Sequence, residues 1–427
     1  MPGLHESCEL ELPGPVLPEA ESCPLYWQYR LDGVRDSPQS FRLETMDAYY
    51  KLTKPRIIEY CGGVEGDPGQ WDSEFVVCGT KQDTAFRFLD NVELSSCLEA
   101  GADAYRSLWS RRGSLFFFDL EYKNRSDEEE IYRNAPEIFE AFIEPVYHEL
   151  CNQLLASSVP FITVMTGTGY HLVFSVPFNT SRHRRLERLG NPCPELLEQY
   201  GRVFAASHRK RFVPRECGFA FDAMGRLAEY LGKELRTYPG IPLEVGIQQP
   251  RQIVLDLSTY ADPLHWRFLR CVGSYHQKSK QRRLATLIRK PAAGEELSLS
   301  EALNLMRQPQ RAASHIRDRP AAIPSAGDGF HDLLSRYEAS ELHRRHRAFD
   351  AHRLEPEEMN RARALLEGCS DRELASDGGL RRAVRLACQE GISTKAIGYA
   401  VAERYRWTVW SSRSEEHTSE LQSPSAI

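Results

Sequence analysis

Three features of the sequence predict an α+β fold. Short apolar runs closed by acids or glycines read as strands, and a long amphipathic stretch reads as a helix lying on them. A composition break after Lys290 separates this mixed part from a helical one. In chain order, residues 1–24 are rich in Pro and Glu and are expected to form a loose tail. From Tyr26 to Trp109, strand-like runs ("RIIEYCGG", "EFVVCG") alternate with a helix-like one ("TKQDTAFRFLDNVELSSCLEAG"). "SLFFFDLEYKN", Ser114 to Asn124, is a buried strand with Asp119 and Glu121 at its end. Next, "EEEIYRNAPEIFEAFIEPVYHELCNQLLAS" sets Ile138, Phe142, Val146, Leu150 and Leu154 on one helical face, with a kink expected at Pro145. "FITVMTGTGYHLVFSVPF" reads as two strands joined by a turn over Thr166–Gly169. A basic, helix-rich segment, Asn179 to Arg236, separates it from "RQIVLDLSTY", a second apolar run closed by an acid, Asp256.

Residues 25–290 are therefore expected to form one mixed domain, 291–329 ("KPAAGEE", "RDRPAAIPSAGDG") a linker, and 330–412 a helical region. Within the last, "GISTKAIGYAVAERYRW" offers Ser393 or Thr394 as a helix cap; it is loosely like a helix-turn-helix, but plain helix packing is the preferred reading. "RSEEHTSELQS", Arg413 to Ser423, resembles the in-frame translation of a sequencing-library adapter. Residues 413–427 are accordingly set apart from the fold, and the natural C-terminus is expected to be missing.

With 427 residues, 41% of them hydrophobic, the chain can bury one large core or two ordinary ones. It has no apolar run of about 18 residues, as a membrane span needs, and its opening "MPGLHESCELELPG" is too acidic for a signal peptide, so a cytoplasmic location is expected. The eleven cysteines are odd in number and contain no C-x-x-C, which favours reduced, buried thiols. Cys193, His208 and Cys217 match no zinc spacing, and zinc is not expected. Net charge, −6, says little about partners. Its distribution says more: 263–290 carries eight Lys or Arg and no acid, and 181–215 carries nine against three. Such blocks attract nucleic acid, although a solvated face accounts for them equally well.

In a strand, residues two apart share a face, so Asp119 and Glu121 project together while Phe118 and Leu120 point inward. Two anions side by side are stabilised by a cation, and Mg²⁺ or Mn²⁺ favours such oxygen ligands; a strand that has simply ended in solvent is the alternative. Asp256 offers a third carboxylate, and His276, Arg267, Arg270 and Lys278 follow it. In "TGTGYH", the turn's N–H groups, the Thr166 and Thr168 hydroxyls, Gly169 and His171 suit a triphosphate; a hairpin with a structural His would look the same.

Taken in order, "FFFDLEYKN", "TGTGYHLVF" and "IVLDLSTYADPLHWRFLR" resemble the archaeo-eukaryotic primase superfamily, most closely its primase-polymerase branch. The D-h-E form and the D-L-x-x-Y continuation (Asp256, Leu257, Tyr260, then Arg267) favour that branch, and "RFLRCVGSYHQK" is similar to a run of primase small subunits. The resemblance spans about Leu115 to Lys278. It implies a catalytic core with an N-terminal α/β module beside an RNA-recognition-motif-like sheet. It further implies Asp119, Glu121 and Asp256 as catalytic ligands of two divalent ions, Mg²⁺ or Mn²⁺. His171, Arg267, Arg270 and Lys278 would contact the triphosphate of an NTP or dNTP, with Thr166, Thr168 and Gly169 in the adjoining turn. The activity implied is DNA-directed primase and polymerase chemistry on a single-stranded or primed template, in replication priming, repair or mobile-element replication, with a helicase among the candidate partners. The turn lacks the Ser and basic residue found in several branches, and no zinc module is recognisable. Two rivals remain open. Asp103 with Glu121-Tyr122-Lys123 makes a D…E-x-K nuclease pattern, and a non-catalytic nucleic-acid binder would keep the fold alone.

Overall fold

The apolar stretch around Phe116 forms the long strand of a five-stranded antiparallel sheet. The computed structural model describes residues 43–64, 71–73, 76–79, 87–89, 94, 98, 103–124, 126–127, 129–192, 197, 200, 203–206, 209–212, 215–236, 251–257, 260, 268–279, 282–289, 297–370 and 379–405. The expected N-terminal tail and the adapter-like end lie outside the described residues.

Strands in chain order are β1 (Val76–Gly79), β2 (Arg87–Leu89), β3 (Asp103–Ser107), β4 (Gly113–Asn124), β5 (Ile162–Met165), β6 (Gly169–Pro177) and β7 (Val203–Ala206). They continue with β8 (Arg209–Phe212), β9 (Arg251–Leu255), β10 (Phe268–Arg270), β11 (Tyr275–Ser279), β12 (Arg282–Ala285) and β13 (Leu287–Ile288). The main helices are α1 (Leu43–Tyr60), α2 (Glu144–Ala156), α3 (Ser181–Leu189), α4 (Arg215–Arg236), α5 (Leu299–Met306) and α6 (Pro309–Arg317). After them come α7 (Phe330–Ala339), α8 (Glu341–Ala351), α9 (Pro356–Glu367), α10 (Gly379–Gln389) and α11 (Thr394–Tyr405). The fold is α+β: one antiparallel sheet runs β13-β5-β6-β4-β9, a second runs β10-β3-β1-β2, and helices cover them.

On β4, alternation decides which residues enter the core. Phe116, Phe118, Leu120 and Tyr122 face one way, where Phe116 stacks on its register partner Phe174 at 4.7 Å and Phe174 meets Phe330 of α7. On the same face Tyr170, opposite Leu120, stacks at 4.0 Å on Tyr147 of α2. The helical stretch 130–156 carries the expected apolar face, with Ile138, Val146, Leu150 and Leu154 buried and Phe142 against Tyr122. The irregularity expected at Pro145 is a π turn, Phe139–Ile143: Pro145 has no N–H to give, and the Glu144 N–H bonds five residues back to Phe139 O.

Three expectations change. "RIIEYCGG" is not a strand: Arg56–Tyr60 closes α1, because Tyr49, Tyr50, Thr53, Ile57 and Tyr60 are buried at helical spacing. Conversely, Arg87–Leu89, inside a helix-like run, forms β2. Thirdly, much of the expected linker is packed structure. Ser298 and Glu301 form a reciprocal capping box that starts α5, and Pro309 occupies the first turn of α6. Their buried residues Leu303, Met306, Ala313 and Ile316 belong to the main core. Further on, the backbones of Pro324 and Ala326 bond to both sides of Ser175, extending the β6 edge. Leu43–Ile427 groups as one compact unit. Within it α9, α10 and α11 have a small core of their own, around Leu366, Ala387 and Ile397. In α11, Ala396, Ile397, Ala400 and Val401 are buried, and Lys395 bonds to Asp350 O and His352 O.

Candidate active site

The opposite face of β4 carries Phe117, Asp119, Glu121 and Lys123. Register places Asp119 directly across from His171 on β6. On the other side, the β4–β9 pairing ends at Leu120 with Leu255, and the next step brings the Asp256 N–H to Asp119 O at 2.8 Å. Residues opposite one another in an antiparallel sheet share a face, so His171, Asp119 and Asp256 form a row across three strands. Glu121 lies one step along that face, opposite Gly169. Sequence separations of 52 to 137 residues are thereby reduced to neighbouring register positions.

His171 Nε2 is 3.6 Å from Asp119 Oδ1, and Phe117 meets the imidazole edge-on at 5.0 Å. The Asp119 side chain keeps 24% of its surface exposed, while Glu121 and Asp256 retain 8% and 9%. The turn holds Glu121: Thr168 Oγ1 donates to Glu121 Oε1 at 3.2 Å, and the Tyr122 N–H donates to Thr168 O. Gly169 is required by close approach, since a Cβ there would collide with the carbonyl oxygen of Leu120. Thr166 serves the turn itself, accepting the Thr168 and Gly169 N–H groups on Oγ1 and bonding to Gly169 O. Groups expected to cradle a triphosphate are thus committed to shaping the turn and orienting Glu121.

Behind the sheet a buried charged network steadies the same strands. Glu144 accepts from Tyr170 at 2.5 Å and from Arg289 at 2.7 Å, with His148 at 3.1 Å. Burial pushes the Glu144 carboxyl up, but His148 and Arg289 more than offset this and hold it below its usual range.

Other expected residues go elsewhere or lie outside the described residues. Arg270 is on β10 in the second sheet, where it bonds to Tyr275 O, sits over the Tyr105 ring at 4.7 Å and faces Asp103 at 3.5 Å. Its work there is structural. Asp103, the acid of the nuclease pattern, is buried beside Arg270 and accepts from the Tyr275 N–H and the Tyr50 hydroxyl. Arg267 lies outside the described residues, as do the side chains of His276 and Lys278, although Tyr275–Ser279 forms β11. Cys193 and His208 also lie outside them; Cys217 is buried, which pushes its thiol up to about 12.

Among the described residues, no group of three or more His, Cys, Asp or Glu side chains converges as a metal site. Asp119 and Asp256 are nevertheless register neighbours, and Mg²⁺ characteristically takes one or two carboxylates with water and substrate phosphate completing its shell. The donor chemistry fits such an ion, with Glu121 adjacent.

Invisible to sequence reasoning was a Ser–His–Glu chain, in which Ser114 Oγ lies 3.0 Å from His183 Nε2 and His183 Nδ1 lies 2.9 Å from Glu187. Its bond order is that of a hydrolytic triad, but Ser114 and His183 are each 2% exposed and join α3 to β4. Burial pushes the His183 imidazole down, and Glu187 only partly opposes that.

No protein-family model matches the chain, and no curated protein matches it. The crystal structure of the primase RepB' is similar over 89% of this chain and 97% of its own, with 12% identity and a TM-score of 0.24. A score that low establishes no common topology, and the functional reading rests on the residues. No helix among the described residues is long and apolar enough to cross a membrane.

Proposed function

We propose that the protein is a nucleotidyltransferase of the primase-polymerase type, joining a nucleoside triphosphate to a 3′-hydroxyl on a nucleic-acid template. The row His171–Asp119–Asp256, with Glu121 next to it, carries this reading. Asp119 and Asp256 would hold Mg²⁺ or Mn²⁺, with Glu121 completing the acidic set. Bound there, the metal would acidify the attacking hydroxyl and neutralise charge on the phosphates. The strands contribute preorganisation: paired carboxylates fixed by backbone register need no rearrangement before charge develops. His171, beside Asp119, would donate to a phosphate oxygen. The Lys- and Arg-rich runs at 181–215 and 263–290, Arg267 and Lys278 among them, would hold template and triphosphate, so binding should weaken steeply with salt.

The nuclease alternative draws no support from Asp103, which is spent inside the second sheet. A labelled primer-template with Mg²⁺ or Mn²⁺ tests the proposal. Extension that needs NTP or dNTP and is lost in Asp119→Ala and Asp256→Ala is expected. Shortening of the substrate without nucleotide, or full extension by both variants, contradicts it.

A further inference from the structure

Where β9 leaves the sheet, β4 would lose its neighbour one residue before Phe118. Pairing ends with the Asp256 N–H on Asp119 O, yet the backbone of Phe117 lies further along the same edge, deep in the core. An edge in that position needs a hydrogen-bonding substitute. Tyr260 supplies it with a single atom: its hydroxyl donates to Phe117 O at 2.6 Å and accepts the Phe117 N–H at 2.9 Å. The side chain is 1% exposed, and its ring lies 5.0 Å from Phe221 of α4 and 6.3 Å from Phe116. The two anchors are themselves linked, with the Tyr260 N–H on Leu257 O at 3.0 Å and Leu257 itself buried. Asp256 and Tyr260 are therefore both pinned to β4: Asp256 by its own N–H at Asp119 and Tyr260 by its hydroxyl at Phe117.

We infer that Tyr260 is a positioning residue, whose hydroxyl replaces the missing strand and fixes the Asp256 carboxylate beside Asp119. This deepens the proposed function and rests on it. Tyr260 is buried away from any substrate; its effect runs through the backbone of Phe117 and its own bond to Leu257 O. Tyr260→Phe keeps the ring packing and removes both hydrogen bonds, so Asp256 should lose its fixed geometry while the sheet persists.

Two readouts besides activity test this. Mn²⁺ affinity, followed by the electron paramagnetic resonance of free Mn²⁺, should weaken about 10-fold in Tyr260→Phe, as for loss of an orienting partner behind a metal ligand. Hydrogen exchange at the Asp256 amide should accelerate. Ile316→Ala, a core truncation in α6, should lower the melting temperature and leave Mn²⁺ affinity at the parental value. Should Tyr260→Phe fail to fold, 4-aminophenylalanine at position 260, whose amine reaches the same point and donates to Phe117 O but accepts poorly from the Phe117 N–H, should show a smaller weakening in the same direction. Parental Mn²⁺ affinity in the folded Tyr260 variant, or an equal loss in Ile316→Ala, overturns the inference and leaves the proposed function standing. A parent protein that neither binds Mn²⁺ nor transfers nucleotide overturns both.

Discussion

Two charged clusters in this molecule are built on opposite plans. Between α4 and α8, signs alternate: Arg226 bonds at 2.7 Å to Asp222 and to Asp350, and Glu229 lies between Lys233 at 2.8 Å and His346 at 3.1 Å. On the Asp119 face of the main sheet, three acids stand at neighbouring positions, Asp119 and Asp256 side by side and Glu121 a step away. Alternating signs neutralise one another and clamp helices together; acids held at neighbouring register positions suit a cation brought from outside. The first cluster is thus an architectural joint, and the second is the proposed site.

Predictions that would break this contrast differ in the property they change. Asp256→Ala should remove several kcal/mol of transition-state stabilisation, about 10³-fold in primer extension, while the protein stays folded. Arg226→Met should do the reverse. It leaves Asp222 and Asp350 without this cation and should cost about 3–5 kcal/mol in chemical denaturation, with the metal dependence of extension unchanged.

Acid titration separates the clusters further. Burial pushes the Glu229 carboxyl up, but His346 and Lys233 outweigh it and bring it from an ordinary 4.5 to about 2. A carboxylate depressed in the folded state stabilises above its unfolded pKa and loses that contribution as pH falls through the folded value. Glu229 should therefore contribute on the order of 3 kcal/mol above pH 4.5, lost between about 4.5 and 2. In Glu229→Gln, the pH dependence of unfolding free energy should flatten across that window. The smallest effect expected is at Thr168. Thr168→Ala frees Glu121 from its hydroxyl and should weaken metal affinity about 10-fold, whereas Thr168→Ser should restore it.

The sequence made β4 legible because alternation survives in one dimension: four apolar residues followed by D-L-E set both the strand and the face of its acids. Asp256 was visible as the end of an apolar run, but its place beside Asp119 depends on β9 register. The packed helices 299–317 were hidden by Pro- and Gly-rich flanks, although Ser298 and Glu301 did carry a capping-box signal. Arg270 shows the limit of motif reasoning. A basic residue after a catalytic-looking strand reads as a phosphate ligand, yet the second sheet brings it to Asp103 and Tyr105. The D-L-x-x-Y spacing placed Tyr260 near Asp256 in sequence; only tertiary structure shows its hydroxyl bridging both backbone groups of Phe117.

The most direct test of the central claim is a Mn²⁺ titration of the parent protein and of Asp119→Ala and Asp256→Ala, followed together by primer extension and by metal binding. The like-charged row predicts that the parent binds Mn²⁺ and extends primers in step with occupancy, and that each variant loses both while remaining folded. Parental Mn²⁺ binding and extension in both variants would contradict it.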